Sequence, residues 1–300
     1  MALFGNRRDR ARLAPELDDA ALGRVVRGVL SSRGAGPQDL AIARVEQLLK
    51  ETGTDWDRRC HRVAVLARAA PALARGWRSR RPHDPDALVL HAWSELAEDP
   101  WAALAACRLA AAAHPADPTP WVGALAALRQ LRRTRAELAS VWQEITARDS
   151  WHREAHLQIL GYLSPEEQGS QAALREFLDD LVAVIPPGAP AACLPLTAAV
   201  RQYHRDLGGG GIRALGASRH WSQPPMPALL DQALTQWLPP GRLRHAAAVA
   251  DLGLLAYALA RAGRRDDAAT VFPATGGLVT AWPWGYDGDP VERYTYWSRV

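Results

Sequence analysis

Leu255-Ala256-Tyr257-Ala258-Leu259-Ala260-Arg261-Ala262-Gly263-Arg264-Arg265-Asp266-Asp267-Ala268-Ala269-Thr270-Val271-Phe272 is the stretch from which the fold of this 300-residue chain is read. It sets bulky apolar side chains at Leu255, Leu259 and Phe272, small ones at Ala256 and Ala268, and a glycine between them at Gly263. Two helix axes approach to about 8–10 Å only where the facing side chains are small, so the alanines mark a crossing and the large residues fill its flanks. Gly263 supplies the backbone freedom that a helix end uses. Asp266 and Asp267 fall in the first turn of the next helix, where carboxylates favour the dipole. The stretch predicts one helix–turn–helix unit.

A period repeats that unit along the chain. Asp84-Pro85, Asp117-Pro118 and Asp149-Ser150 recur at spacings of 33 and 32, and Pro82 recurs as Pro115. Each Asp-Pro reads as a helix start, because Asp accepts from free backbone N–H groups and Pro is tolerated at the first helical position. Leu90, Ala103, Cys107 and Ala110 fall where a helical repeat wants large, small, large and small residues, and Trp121 takes the aromatic position of the next unit. Second helices are expected from Asp99-Pro100, from the capping box Thr134 to Glu137, and from Ser164-Pro165-Glu166-Glu167, with Pro186-Pro187-Gly188 ending the last. This pattern resembles the tetratricopeptide repeat. The resemblance implies an all-α, right-handed α-α superhelix of helical hairpins.

Upstream, Asp18–Val29, Gln38–Glu51, Thr54–Ala69 and Pro71–Arg81 read as further helices, and no segment alternates with period two. Gly208–Gly211 and Pro224–Pro227 bracket a break, after which Ala228–Leu238 and Gly241–Arg261 resume helices. The expected organisation is N-terminal helices over 1–53, repeats over 54–205, a flexible connection over 206–227, and a helical hairpin with an irregular aromatic segment over 228–300.

From about Trp56 onward the chain resembles an uncharacterised actinobacterial family of tetratricopeptide-like fold. The residues that carry the likeness are Trp56-Asp57-Arg58-Arg59, Ala116-Asp117-Pro118 to Trp121, and Arg148-Asp149-Ser150-Trp151-His152 with Glu154 and His156. They continue with Gly161-Tyr162-Leu163, Gln168-Gly169-Ser170, Phe177, Gly276-Gly277-Leu278 and Pro283-Trp284-Gly285-Tyr286. The family has a longer loop before its Gly-Ser element than Ser164–Gly169 here. The likeness implies a fold and brings no activity. The Ala, Arg, Gly and Pro bias, with Asn6 the sole asparagine, fits a GC-rich genome.

Composition narrows the class. Hydrophobic residues make up 48%, enough for a substantial core, and the three cysteines are too few and scattered for a disulfide framework or zinc ribbon, which points to a reducing cytoplasm. Arg7, Arg8, Arg10 and Arg12 suggest a twin-arginine signal, but no apolar segment follows before Glu16, so export is not expected. Ala246–Ala260 is interrupted by Asp251 and falls short of the roughly 18 apolar residues of a membrane span. Of 36 basic residues all but Lys50 are arginine, and acids interleave with them; net charge is +4. A nucleic-acid footprint is a one-signed face, so neither nucleic acid nor membrane is an expected partner.

Candidate chemistry is sparse. His152 and His156, four apart, would share a helix face as two metal ligands do, but Arg153 stands where a zinc protease has Glu. Cys60-His61 are adjacent on a helix and do not face each other; all three thiols read as small buried hydrophobes. Asp179-Asp180 invites comparison with the metal-binding motif of helical terpene synthases, which fails because the later Asn-containing triad cannot exist. Gly208–Gly211 lacks the Lys-Ser/Thr of a phosphate loop.

In the repeat groove Leu88, Val89, Ala92, Val122, Gly123 and Ala126 preclude a carboxylate clamp, leaving an apolar face for a partner segment or for the chain itself to cover. Six aromatics between Trp282 and Trp297 form either an intramolecular cap over the last helical pair or a docking surface. The function expected is a cofactor-free, non-catalytic scaffold for a protein partner, with Trp121, Arg129, Arg132, Arg133, Trp282, Trp284 and Tyr286 as contacts. The alternatives are a metal-binding protein or enzyme using His152 and His156, and a regulatory module acting with DNA-associated proteins.

Overall fold

The computed structural model describes residues 10–31 and 38–300, so Asn6, Arg7 and Arg8 lie outside the described residues. The protein is all-α: sixteen α-helices and a pair of two-residue strands are found among the described residues. They divide into two compact units, Asp19–Ile185 with Ala189–Ala191, and the segment up to Asp18 with Pro186–Gly188 and Ala192–Val300.

The first unit holds α1 (Ala20–Ser31), α2 (Gln38–Lys50), α3 (Trp56–Ala69), α4 (Pro71–Arg80), α5 (Pro85–Glu95), α6 (Pro100–Ala113), α7 (Thr119–Gln130), α8 (Arg135–Thr146), α9 (Arg153–Tyr162) and α10 (Gln171–Val184). Side-chain caps start many of them, each worth about 1 kcal/mol. Asp55 accepts from Arg58 N, Asp84 from Asp86 N and Ala87 N, Asp99 from Trp101 N and Ala102 N, and Ser170 from Ala173 N. Thr134 and Glu137 close the expected capping box. The third second-helix start is displaced: Ser164–Gly169 forms a turn closed by Gly169 N to Ser164 O, and α10 begins only after Ser170.

Consecutive helices from α5 to α8 pack on one another, and α3 packs on α5, α7 and α9. Trp77 is fully buried among Leu22, Val45, Leu66 and Leu90, while Cys60, Ala92, Cys107, Val122 and Ala155 share a second cluster. At Gly123 an added Cβ would stand 2.8 Å from Cys107 Sγ and 2.9 Å from Trp93 Nε1, so only glycine allows the approach.

The second unit holds β1 (Arg12–Leu13), α11 (Leu194–Gly208), α12 (Gly211–Ala217), α13 (Met226–Trp237), α14 (Ala248–Arg261), α15 (Arg265–Val271), β2 (Leu278–Val279) and α16 (Pro290–Trp297). α14 packs on α15 and the 3-10 turn Phe272–Thr275, with Ala256 and Ala268 both buried and Gly263 at φ +73. β1 and β2 run parallel with Arg12 opposite Leu278, so residues expected among N-terminal helices join the C-terminal unit. The stretch expected as a flexible connection carries α12 and a 3-10 turn, His220–Ser222, and the helix expected from Gly241 begins at Ala248.

Candidate functional site

The apolar face that the sequence left open on α5 and α7 is covered by the chain. Leu88, Val89, Ala92, Val122, Gly123 and Ala126 are all buried, and Cys60 of α3 is clustered with Ala92 and Val122. Burial pushes the Cys60 thiol well above its ordinary range, with the charges of Glu154, Asp57, Asp117 and Asp149 adding to it. Cys107 is likewise pushed up, to about 12, and Cys193 is buried.

A charged clamp fixes that cover. Arg59 of α3 donates from Nε to Asp117 Oδ2 at 2.6 Å and from Nη2 to Asp86 Oδ1; Arg59 and Asp117 are buried and Asp86 is partly exposed. Asp117 Oδ1 meanwhile accepts from Thr119 N at 2.8 Å, so one guanidinium ties α3 to the first turn of α5 and the start of α7. Burial works against the Arg59 cation, but Asp117 and Asp86 more than offset it and raise its pKa. The third register aspartate differs: Asp149 accepts from Trp151 N and its carboxyl is pushed up by burial, then by Asp57 and Asp55, against the lowering influence of His152.

His152 and His156 do not share a helix face. His152 is the N-cap of α9, its Nδ1 accepting from Ala155 N, and it lies before the helix begins. His156 places Nδ1 2.9 Å from His152 O, and its ring is enclosed by Trp142 (centroids 4.8 Å apart), Trp151 and Phe177. Burial lowers its pKa to about 4. Among the described residues no three His, Cys, Asp or Glu side chains converge in a way that could hold a metal ion.

The residues read as contacts are distributed differently from the expectation. Arg129 is engaged within the unit, bidentate on Glu167 at 2.8 and 2.9 Å and bonded to Gln158, lying across Gly161. It holds the Ser164–Gly169 turn. Trp121 is half-buried beneath the Arg148 guanidinium, 5.7 Å from its ring centroid. Arg133 pairs with Glu137 and stands over Trp101, an exposed residue next to the Asp99-Pro100 helix start for which the sequence offers no separate signal. Arg132 is exposed at φ +51.

In the second unit the aromatic segment packs inward. Trp284 is 1% exposed, packed edge-on against Tyr257 and Tyr294 and beside Phe272, so it is a core residue and not a surface contact. Tyr286 stacks on His204 at 3.8 Å and donates to His204 O, while Trp282 stays partly exposed at the same ring's edge. Burial, and then Arg261, lower the His204 pKa to about 4, and its Nε2 lies 2.8 Å from Tyr257 Oη.

Two open hollows are found in the first unit among the described residues, a shallow one of about 350 Å³ between α1 and α2 and a cleft of about 260 Å³ between α8, α9 and α10. Leu138, Ile159 and Tyr162 line its floor, Trp142 and Phe177 its walls, and Ala139 faces it from α8 as Ala173 does from α10. Arg135 stands on the α8 lip, Glu176 and Asp180 on the α10 lip. The start signals at Thr134 and Ser164 announce two second helices but carry no sign that they stand apart. No family profile, no curated protein and no solved structure matches this chain.

Proposed function

We propose that the chain is a tetratricopeptide-like scaffold, its helical pairs stacked as a right-handed α-α superhelix, that binds a protein partner in the cytoplasm and catalyses no reaction. The observation that supports this reading is the contrast between the covered face of α5 and α7 and the uncovered cleft beside α10. Recognition then rests on apolar complementarity inside a charged rim. Arg133 with Trp101 and Arg132 on the α7–α8 turn extend the rim, Trp121 under Arg148 stiffens its base, and Arg129 positions α9. Trp282 and Tyr286 are a subsidiary exposed surface on the other unit.

The test is photo-crosslinking in the native cell with a benzophenone amino acid placed at Ala139, at Ala173 and, for contrast, at Ala105 on the outer side of α6. A discrete protein adduct at the two cleft positions and not at Ala105 supports the reading. Adducts at Ala105 alone, or none at the cleft, overturn it.

A further inference from the structure

We infer that the cleft between α8 and α10 takes an amphipathic helical segment of a protein partner, one that presents a bulky apolar side chain beside a lysine or arginine. The inference rests on the reading of that cleft as the partner site and specifies what fills it.

The cleft has the size of side chains. Pockets that enclose a cofactor or drug-sized molecule run to about 300–1,000 Å³, and 260 Å³ holds one or two large side chains. The same face of α10 runs past the cleft: Ala173 and Phe177 are followed on it by Asp180 and then by Val184, which is 67% exposed. At about 1.5 Å rise per residue that stretch is three turns long, a length matched by a helix laid alongside rather than by an isolated side chain. Helix-in-groove recognition uses anchors at i, i+3 or i+4 in such a channel.

The lip charges give the sign. Glu176 and Asp180 stand one turn apart on the same face, and among the described residues neither makes an ion pair or side-chain hydrogen bond. Like charges at that spacing weaken a helix. Arg135 occupies the first position of α8, at the positive end of the dipole where a cation is disfavoured. Arg59, Arg62, Arg129, Arg133 and Arg148 of this unit each hold a carboxylate, whereas among the described residues Arg135 holds none. Local choices that cost helix stability without an internal partner are the mark of a site kept for something else. Two carboxylates on the longer apolar wall select a basic flank, and Arg135 opposite selects an acidic residue further along the same segment.

The experiment measures fluorescence anisotropy of three labelled peptides of roughly sixteen residues, long enough to hold a helix, against the full chain. One carries Leu and Phe four apart with flanking Lys; the second has Glu for Lys; the third keeps Lys and replaces both anchors by Ala. The Lys–anchor peptide is expected to bind about three- to tenfold tighter than the Glu form, the scale of two rim ion pairs, with the preference shrinking as salt rises from about 50 to 300 mM. The anchorless peptide is expected to bind at least about tenfold more weakly. In the double variant Glu176→Gln and Asp180→Asn, both exposed positions, the Lys preference should vanish while anchor dependence persists.

Equal or reversed preference in the wild type, preference that survives the double variant, or equal binding of the anchorless peptide overturns the inference. In those cases crosslinks at Ala139 and Ala173 would leave the partner-site reading standing. Absence of binding by all three peptides together with absence of cleft crosslinks overturns both.

Discussion

The face of α5 and α7 and the cleft between α8 and α10 are made of similar material, alanines opposite bulky apolar side chains, yet one is sealed and the other open. The difference lies in the charges. At the sealed face, Arg59 reaches across from α3 to Asp86 and Asp117 and fixes the register in which Cys60 meets Ala92 and Val122. Beside the cleft, α10 buries only Leu174 and Leu181, and its Glu176 and Asp180 find no cation. Apolar pattern makes helices adhere; a directional clamp decides which pair closes.

Breaking the clamp should have the largest effect. Arg59→Leu leaves Asp86 and Asp117 facing each other without their cation, and removal of one member of a buried ionic group costs about 3–5 kcal/mol. Arg59→Lys should recover only part of it, because an ammonium cannot hold two carboxylates with the guanidinium's fork. Arg135→Gln at the open cleft should stay within about 0.5 kcal/mol. Urea unfolding of the three variants decides: equal midpoints for Arg59→Leu and Arg135→Gln would mean that packing alone closes the face.

The next effect is a pH response that both units share. His156 and His204 have ordinary pKa values of 6.5 and are lowered to about 4 by burial. Between those limits the unfolded chain takes up a proton that the folded chain refuses. Stability is therefore complete above about pH 6.5 and falls as pH drops toward 4, by up to roughly 3 kcal/mol per histidine. His156→Phe should flatten that slope in the first unit, and since the His156 ring packs on Trp142 and Phe177 it should also keep the cleft walls ordered in acid. An unchanged slope in the double variant His156→Phe, His204→Phe would assign acid sensitivity elsewhere.

A matched pair of valines sharpens the contrast further. Gly123→Val drives a side chain into Cys107 and Trp93 and should cost about 1–3 kcal/mol by overpacking. Ala173→Val adds two methyl groups to an open wall and should leave the unfolding midpoint unchanged. If both variants destabilise alike, the cleft is already filled in solution.

Helix existence was legible along almost the whole chain, because periodic alanines and leucines, Asp-Pro starts and the Thr134–Glu137 box all act within a turn or two of sequence. The boundaries that failed are those where a start signal was used otherwise. Ser164-Pro165-Glu166-Glu167 reads as a cap, but Glu167 is held by Arg129, 38 residues away, and the segment is a turn. His152 reads as a helix-face residue and is the cap itself. The pairing of Leu13 with Val279 and the reach of Arg59 to Asp117 depend on tertiary proximity, for which local periodicity has no signal. The same is true of the cleft: Phe177 and Asp179-Asp180 stood out, but what separates α8 from α10 could not be read from either helix alone.

The smallest effect concerns the turn that leads into the cleft. Arg133 N bonds to Leu128 O at 3.0 Å after α7, and Arg264 N bonds to Leu259 O at 3.0 Å after α14. The residue between adopts left-handed backbone in both, Gly263 at φ +73 and Arg132 at φ +51. Glycine takes that conformation freely, whereas a side chain there costs about 1–2 kcal/mol. Arg132→Gly should accordingly raise stability by up to about 1 kcal/mol, part of the gain being cancelled by the greater freedom of glycine in the unfolded chain. A strained residue is kept where its side chain is used, so the same variant should weaken partner binding at low salt while Gly263→Arg, its mirror in the second unit, destabilises and leaves binding untouched. A thermal shift and an affinity measured on both variants separate the two terms: a gain in stability with unchanged affinity would remove Arg132 from the rim.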